Sequence, residues 1–339
     1  MQWLNNLYLG INNGINNPYL SKFLLSLIFL IVLLMVPIIL SFVLPIFKKQ
    51  IQKTKVYLYA FSTGFFIILA SFGFLRESLE VASHHSEIFG EGTSVYYLSN
   101  IGMVGGGILV GLTFAFVLKF VISSKLNKQL MKSKKLSVFV HEHKHSNSEH
   151  DHTHSHEEFL SNREDKLQLV ENTLLAKTEG KLKLIALLLL LTHRIPEGLL
   201  IGYNLSQVAA DVSKASDITV AYFISLILHL IPEETIFYLR LRDAGFSPWK
   251  ALFTSFAGLG LFLPFILIGI YGGDFVSDPL KSLIYSGIGG IFIFTSLVEF
   301  FPEFYHEIFN KKKWFITLLM LFLGVVFSVI ILSIHSHGH

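Results

Sequence analysis

The sequence predicts an all-α integral membrane protein with eight transmembrane helices, and two observations lead to this prediction. Hydrophobic residues make up 52% of the 339 residues, and the mean hydropathy of +0.57 is that of a membrane protein. Eight apolar runs each have about the 20 residues that a helix needs to cross a bilayer. The runs, called spans one to eight, cover residues 20–46, 56–75, 98–122, 184–204, 218–239, 251–271, 282–302 and 314–334.

The spans divide the chain into three parts. Residues 1–122 hold an N-terminal segment and spans one to three, residues 123–181 form a long polar connection, and residues 182–339 hold spans four to eight. The Asn-rich segment before span one has no basic n-region and no clear cleavage site. Span one is therefore expected to stay in place as a transmembrane helix instead of being removed as a signal peptide.

Basic residues predict the orientation. Of the 27 Lys and Arg residues, 22 lie on the connections that follow spans one, three, five and seven. The positive-inside rule places these connections in the cytosol and both termini outside. The net charge of +3 then belongs to cytosolic loops, so no nucleic-acid binding is expected.

The connection of residues 123–181 contains a low-complexity tract rich in histidine. Alternating His-x-His spacing lets a flexible chain bind a borderline cation such as zinc, weakly and in many geometries. An inert solvated linker is the alternative. The tract contains His141, His143, His145, His150, His152, His154 and His156.

Spans four and five carry matching motifs near their midpoints, residues 193–198 (HRIPEG) and residues 229–234 (HLIPEE). An ionisable group at bilayer depth costs roughly 2.5–3.5 kcal/mol and normally faces a partner or a cavity. Residues i and i+4 share a helix face, so His193 lies with Glu197 and His229 with Glu233. The two faces together predict a four-ligand metal site. A kinked helix with a hydrogen-bonded pair is the alternative for either motif alone.

The donor atoms restrict the identity of the metal only in part. The chain has no cysteine, so a site is built from imidazole and carboxylate groups. Such ligands suit Zn(II), and also Cd(II), Fe(II), Mn(II) and Co(II). The sequence leaves the choice open.

Two segments in different halves of the chain resemble each other. Residues 64–77 begin with Gly-Phe-Phe-Ile and residues 290–303 with Gly-Ile-Phe-Ile, and each segment ends in Glu after the same spacing. By the predicted topology spans two and seven run in opposite directions, as do spans four and five. We therefore expect a 3+2+3 inverted repeat, which is typical of transporters with a site near the midplane.

With these motifs the chain resembles the ZIP (Zrt/Irt-like) family of metal transporters. The similarity includes both HxxPE motifs, Phe-Ser-Thr-Gly at residues 61–64, the His-rich third connection, residues 241–247 (LRDAGFS) and residues 301–303 (FPE). The resemblance implies a divalent-cation importer whose primary metal site is formed by His193, Glu197, His229 and Glu233. It also implies the eight-helix 3+2+3 bundle.

The chain departs from the family pattern at two places. Many prokaryotic members have polar or acidic residues, suited to a second metal ion, where this chain has Arg194 and Leu230. We therefore expect one metal ion, with the Arg194 guanidinium replacing the second and balancing Glu197, Glu233 or Glu234. Glu234 replaces a common glycine and is expected to be a further ligand, a partner of Arg194 or part of the exit path.

The expected mechanism is alternating access, in which one repeat moves against the other and metal is delivered to the cytosol. Two alternatives are a membrane metal sensor without transport and an intramembrane metal-dependent hydrolase, although the HExxH spacing is absent. The plasma membrane is the expected location. Gly105, Gly106, Gly107 and Gly111 serve either internal packing or a homodimer contact.

Overall fold

The computed structural model describes residues 2–46, 48–131, 191–210, 220–305 and 311–334, and the regular structure of these ranges is helical. The histidine tract lies outside the described residues. The helices are α1 (Gln2–Ile15), α2 (Pro18–Ser41), α3 (Lys48–Ile68), α4 (Leu75–Ser86), α5 (Ser94–Asn100), α6 (Gly106–Met131), α7 (Arg194–Ala210), α8 (Val220–Asp243), α9 (Pro248–Leu259), α10 (Phe262–Tyr271), α11 (Asp278–Phe294), α12 (Phe301–Tyr305) and α13 (Lys311–Ile334).

Six helical stretches in the described ranges are long and apolar enough to cross a membrane. They are Pro18–Ser41, Thr54–Phe89, Ser94–Val121, Pro248–Tyr271, Asp278–Tyr305 and Lys311–Ser333. Spans four and five form α7 and α8, which carry the charged motifs. In the described ranges these two helices are not both long enough and apolar enough to be counted with the six. A count of eight transmembrane helices therefore remains a prediction.

Span two is longer than its apolar run. The helix was expected to end at residue 75, but it continues to Phe89. Its second part, α4, carries Arg76, Glu77 and Glu80. An apolar run marks only the part of a helix that is suited to the hydrocarbon layer. Polar residues that continue the helix beyond that part are not included in the run.

Local sequence explains where span one begins. The side chain of Asn17 accepts hydrogen bonds from the backbone N–H groups of Tyr19 (3.1 Å) and Leu20 (3.2 Å). Pro18 occupies the first helical position, where its missing N–H costs nothing and its fixed φ favours the helix. The expected limit at residue 20 is thus close to the observed start of α2.

The helices pack in two groups. In the first, α2 packs against α8 and α7 packs against α10, around a core that includes Phe29, Ile201 and Leu230. In the second, α3 packs against α13, and α6 and α4 pack against α11, around a core that includes Phe66 and Phe292. Each group thus combines helices from both halves of the chain, and α8 contributes to both cores, with Leu230 in the first and Phe237 in the second.

The two similar segments have the same local structure. The π-helical turn Leu69–Phe74 joins α3 to α4, and the π-helical turn Thr295–Phe300 joins α11 to α12. Each turn begins five residues after the first glycine of its segment, Gly64 or Gly290. The sequence similarity is therefore matched by a shared irregularity in the helix, which chance similarity of apolar residues does not explain.

The contacts of these glycines follow the same correspondence. A Cβ on Gly64 would overlap the carbonyl oxygen of Leu321 in α13, and a Cβ on Gly290 would approach the carbonyl oxygen of Ile108 in α6 to 2.7 Å. A Cβ on Gly324 would overlap the carbonyl oxygen of Phe61 in α3. In the same way, a Cβ on Gly111 would overlap the carbonyl oxygen of Gly287 in α11. Helix pairs α3·α13 and α6·α11 thus make matching glycine contacts.

Two further contacts show that spans two and seven run in opposite directions. Gly289 lies against Leu75, whereas the hydroxyl of Ser78, further along span two, donates to the carbonyl oxygen of Ser282 at 2.7 Å. Residue numbers thus rise on one helix as they fall on the other, as an inverted repeat requires.

Two of the four glycines named in span three, Gly107 and Gly111, serve internal packing. A Cβ on Gly107 would overlap Ser286, and one on Gly111 would overlap the backbone of Gly287, both in α11. Close approach of small residues is a common way for membrane helices to associate. Of the two expected roles, packing within the chain is the one that these two residues have.

Candidate metal site

Helices α7 and α8 position the motif residues. His193 lies in a turn directly before α7, and its carbonyl accepts the backbone N–H of Glu197 at 3.2 Å. Pro196 falls in the first turn of α7, where a missing N–H is tolerated. On α8 the helix continues through Pro232. In both motifs the histidine and the glutamate are therefore one helical turn apart.

The ligand pairs form between the helices. Nε2 of His193 lies 3.2 Å from Oε2 of Glu233, and Nε2 of His229 lies 2.9 Å from Oε1 of Glu197. All four residues are buried, with at most 2% of their surface exposed. The predicted faces of α7 and α8 therefore do meet.

The four side chains stand as two separate pairs. Within the described ranges no group of three or more His, Cys, Asp or Glu side chains is close enough to hold a metal ion. The sequence argument paired His193 with Glu197 and His229 with Glu233, whereas the contacts join each histidine to the glutamate of the other helix. A single four-ligand site remains a prediction.

Glu197 is buried, and neither of its carboxylate oxygens accepts a hydrogen bond from any residue that the structure describes. Its contact with His229 lacks hydrogen-bond geometry. A buried carboxyl group in this condition is costly and requires an explanation. Coordination of a cation by the carboxylate would supply one.

Packing fixes the other side of the site. The imidazole ring of His193 lies against the ring of Phe292 in α11, with 4.4 Å between the ring centroids. Phe292 belongs to the core of the second helix group. The site on α7 and α8 is therefore in contact with both groups.

Arg194 is completely buried beside the pairs. Its Nε–H donates to Oε1 of Glu233 at 2.7 Å, and its Nη2 lies 2.5 Å from the same oxygen. Nη2 also lies 3.5 Å from Oε2 of Glu234. Of the three glutamates that the sequence offered as partners, the guanidinium thus contacts Glu233 and Glu234.

Aromatic rings hold the guanidinium in place. Its central carbon lies 5.4 Å from the ring centroid of Phe237 and 5.7 Å from that of Phe262. Such cation–π contacts stabilise an arginine that has lost its water. The absence of a side chain at Gly258 leaves room for one of these rings, since a Cβ there would lie 3.1 Å from the ring of Phe237.

A second buried arginine was missed by the sequence analysis, which counted Arg240 among the cytosolic charges. Nη1 of Arg240 lies 2.6 Å from Oε1 of Glu303, and Nη2 donates to the carbonyl oxygen of Glu299 at 3.0 Å. The guanidinium carbon lies 4.8 Å from the ring centroid of Tyr59. The sequence did contain an indication that Arg240 is buried. Arg240 lies seven residues after Glu233 and therefore on the same face of the helix.

Comparison with known proteins gives the family. The model of the ZIP zinc transporter family matches residues 19–332, which is nearly the whole chain. No solved structure matches the chain significantly. The family consists of membrane transporters of divalent metals and not of enzymes, so the hydrolase alternative is excluded and the chain is an integral multi-pass membrane protein. On the extent of this match, the chain belongs to the ZIP zinc transporter family.

Proposed function

We propose that the chain imports divalent transition-metal ions into the cytosol, with Zn(II) as the main substrate. The ion binds between α7 and α8 at His193, Glu197, His229 and Glu233. The observation that supports this most directly is the pair of buried His–Glu contacts, 2.9 and 3.2 Å long, that cross between these helices. In one of these contacts the carboxylate, that of Glu197, accepts no hydrogen bond from the residues that the structure describes.

The distances within each pair suit coordination. Zinc binds imidazole nitrogen and carboxylate oxygen at about 2.0–2.2 Å with tetrahedral geometry, which separates neighbouring ligand atoms by about 3.4 Å. Each pair is therefore within about half an ångström of the spacing that a shared ion imposes. Binding then requires the two pairs to converge on one ion.

We further propose that the site takes one ion. Glu197, Glu233 and Glu234 bring three negative charges and Arg194 one positive charge, which leaves the charge that a single divalent ion neutralises. A buried charge without compensation costs several kcal/mol, so a second divalent ion is disfavoured while Arg194 is present. Counting bound zinc with and without Arg194→Asn tests this, in protein whose seven tract histidines at positions 141–156 are replaced by serine so that only the site contributes. One ion per chain is expected with Arg194 in place, and two would contradict the proposal.

The packing supports a particular form of alternating access. Because α3 packs against α13 and α6 against α11, the two repeats cannot separate without breaking these contacts. We propose instead that the first helix group, which carries α7 and α8, moves relative to the second. The eight-span 3+2+3 arrangement with both termini outside is part of this proposal, as is delivery to the histidine tract of residues 141–156. Location in the plasma membrane and a homodimer remain predictions.

Proton competition gives the proposal a dependence on pH. Imidazoles must be neutral and carboxylates ionised to bind metal, so protons compete with the ion for every ligand. Zinc uptake is expected to fall as the external pH is lowered. Initial uptake rates at a series of pH values, with free zinc held constant, measure this. Uptake that rises steadily towards acid pH would count against ligand competition as the controlling step.

Flux into proteoliposomes that contain a metal-sensitive dye tests the function. We compare Zn, Cd, Fe(II) and Mn for the wild type, for Glu197→Ala, and for Glu91→Ala as a control that removes an exposed carboxylate. Saturable zinc flux is expected in the wild type and the control and not in Glu197→Ala. A wild type that binds zinc but shows no flux would favour the sensor.

A further inference from the structure

The two motifs differ at two charged positions. Arg194 on α7 stands where α8 has Leu230, and Glu234 on α8 stands where α7 has Gly198. One departure adds a base and the other an acid. In the structure the two meet, since Nη2 of Arg194 lies 3.5 Å from Oε2 of Glu234 and both side chains are buried. The charges that break the repeat therefore compensate each other.

Glu233 is shared between two cations when the site binds metal. Its Oε1 contacts Arg194 through Nε and Nη2, and its Oε2 faces His193. A metal ion held by His193 and Glu233 draws charge from the carboxylate that now balances the arginine. The guanidinium, held between aromatic rings, then needs another carboxylate, because an uncompensated buried charge is strongly destabilising.

We infer that Glu234 supplies that carboxylate. Glu234 is a positioning residue and not a metal ligand: it serves as a second anchor for the Arg194 guanidinium when Glu233 turns to the ion. The 3.5 Å approach of Nη2 to Glu234 means that the change of partner needs only a small movement. This inference rests on the proposed metal site, and it replaces the expectation that Glu234 binds the ion.

A double-mutant cycle on zinc affinity tests the inference. Zinc titrations of the purified full-length protein, with the seven tract histidines at positions 141–156 replaced by serine throughout, compare the parent chain, Glu234→Gln, Arg194→Met and the double variant. Loss of the anchor is expected to weaken zinc binding about tenfold or more when Arg194 is present, and by less than about twofold when it is absent. An equal loss in both backgrounds would show that Glu234 is a ligand, and no loss beside Arg194 would also overturn the inference.

Two controls keep the test decisive. If Arg194→Met does not fold, Arg194→Lys takes its place. A lysine ammonium cannot form the two-nitrogen fork, so the effect of Glu234→Gln is expected to shrink to less than about threefold. An unchanged effect would contradict the inference. The Glu197→Ala variant distinguishes failure of the inference about Glu234 from failure of the proposed metal site. Zinc binding that survives Glu197→Ala rejects the site itself.

Discussion

The motifs on α7 and α8 share the same histidine, proline and glutamate, yet their surroundings differ. On α7 the sixth position is Gly198, and a Cβ there would lie 2.9 Å from Cβ of Phe265, so α7 can approach α10 closely. On α8 the same position carries Glu234, which reaches towards Arg194. The common residues thus provide the ligands, and the differing residues provide close packing on one helix and charge balance on the other.

The largest expected effect separates the two glutamates by stability. Glu233→Ala removes the nearest carboxylate of Arg194 and leaves Glu234, 3.5 Å from Nη2, as its remaining partner. Breaking a buried pair costs about 3–5 kcal/mol when nothing replaces the lost partner, so a loss of about 3 kcal/mol is expected here. Glu197→Ala keeps the contacts of Arg194 with Glu233 and Glu234. Its effect on metal-free stability is therefore expected to be much smaller. Thermal unfolding in detergent without metal measures both. Equal losses would mean that Arg194 does not depend on Glu233.

The next effect tests the packing side of the comparison. Gly198→Ala places a methyl group against Phe265, and overpacking of this kind typically costs about 1–3 kcal/mol. The matched control is Gly102→Ala, because a Cβ at Gly102 meets nothing within 4 Å. Stability measured under the same conditions should fall for Gly198→Ala only. A stable Gly198→Ala variant would show that α7 and α10 can separate at no cost.

The smallest effect compares ion pairs near the predicted cytosolic end of α8. The side chain of Arg240 is 3% exposed, and it contacts Glu303, which is 28% exposed, and the carbonyl oxygen of Glu299. The side chain of Lys55 is 30% exposed, and it contacts Asp243, which is 4% exposed, at 3.4 Å. Arg240→Met is expected to cost about 1.5–3 kcal/mol, as for a buried charged hydrogen bond. Lys55→Met removes one longer contact of a partly exposed ammonium and should cost about 1 kcal/mol. Similar values for the two would contradict the distinction that burial of the cation makes.

Several features could be predicted from the sequence because they depend on local pattern. Apolar runs located the six helical stretches of the described residues that are long and apolar enough to cross a membrane. The shared Gly-to-Glu spacing of residues 64–77 and 290–303 corresponds to matching π-helical turns and glycine contacts. The HxxPE motifs marked the helix faces that meet. Helical periodicity determines the face on which a side chain lies. These predictions required only that local information.

Other features depend on how distant helices meet. Periodicity alone does not determine that His193 faces Glu233 or that Arg194 contacts both Glu233 and Glu234. The partners of Arg240 come from α12 and from the π-helical turn before it, and span two continues past its apolar run into α4. These relations come from packing between elements far apart in the chain, which no local pattern records.

Zinc X-ray absorption tests the central claim, that two histidines and two glutamates of α7 and α8 bind one ion. The seven histidines of the tract, at positions 141–156, are first replaced by serine so that the tract cannot contribute. We predict one zinc per chain, bound only by nitrogen and oxygen, with two imidazoles whose signal is lost in the His193→Ala/His229→Ala variant. Zinc with the same two imidazoles in that variant, or no bound zinc once the tract is replaced, would contradict the site.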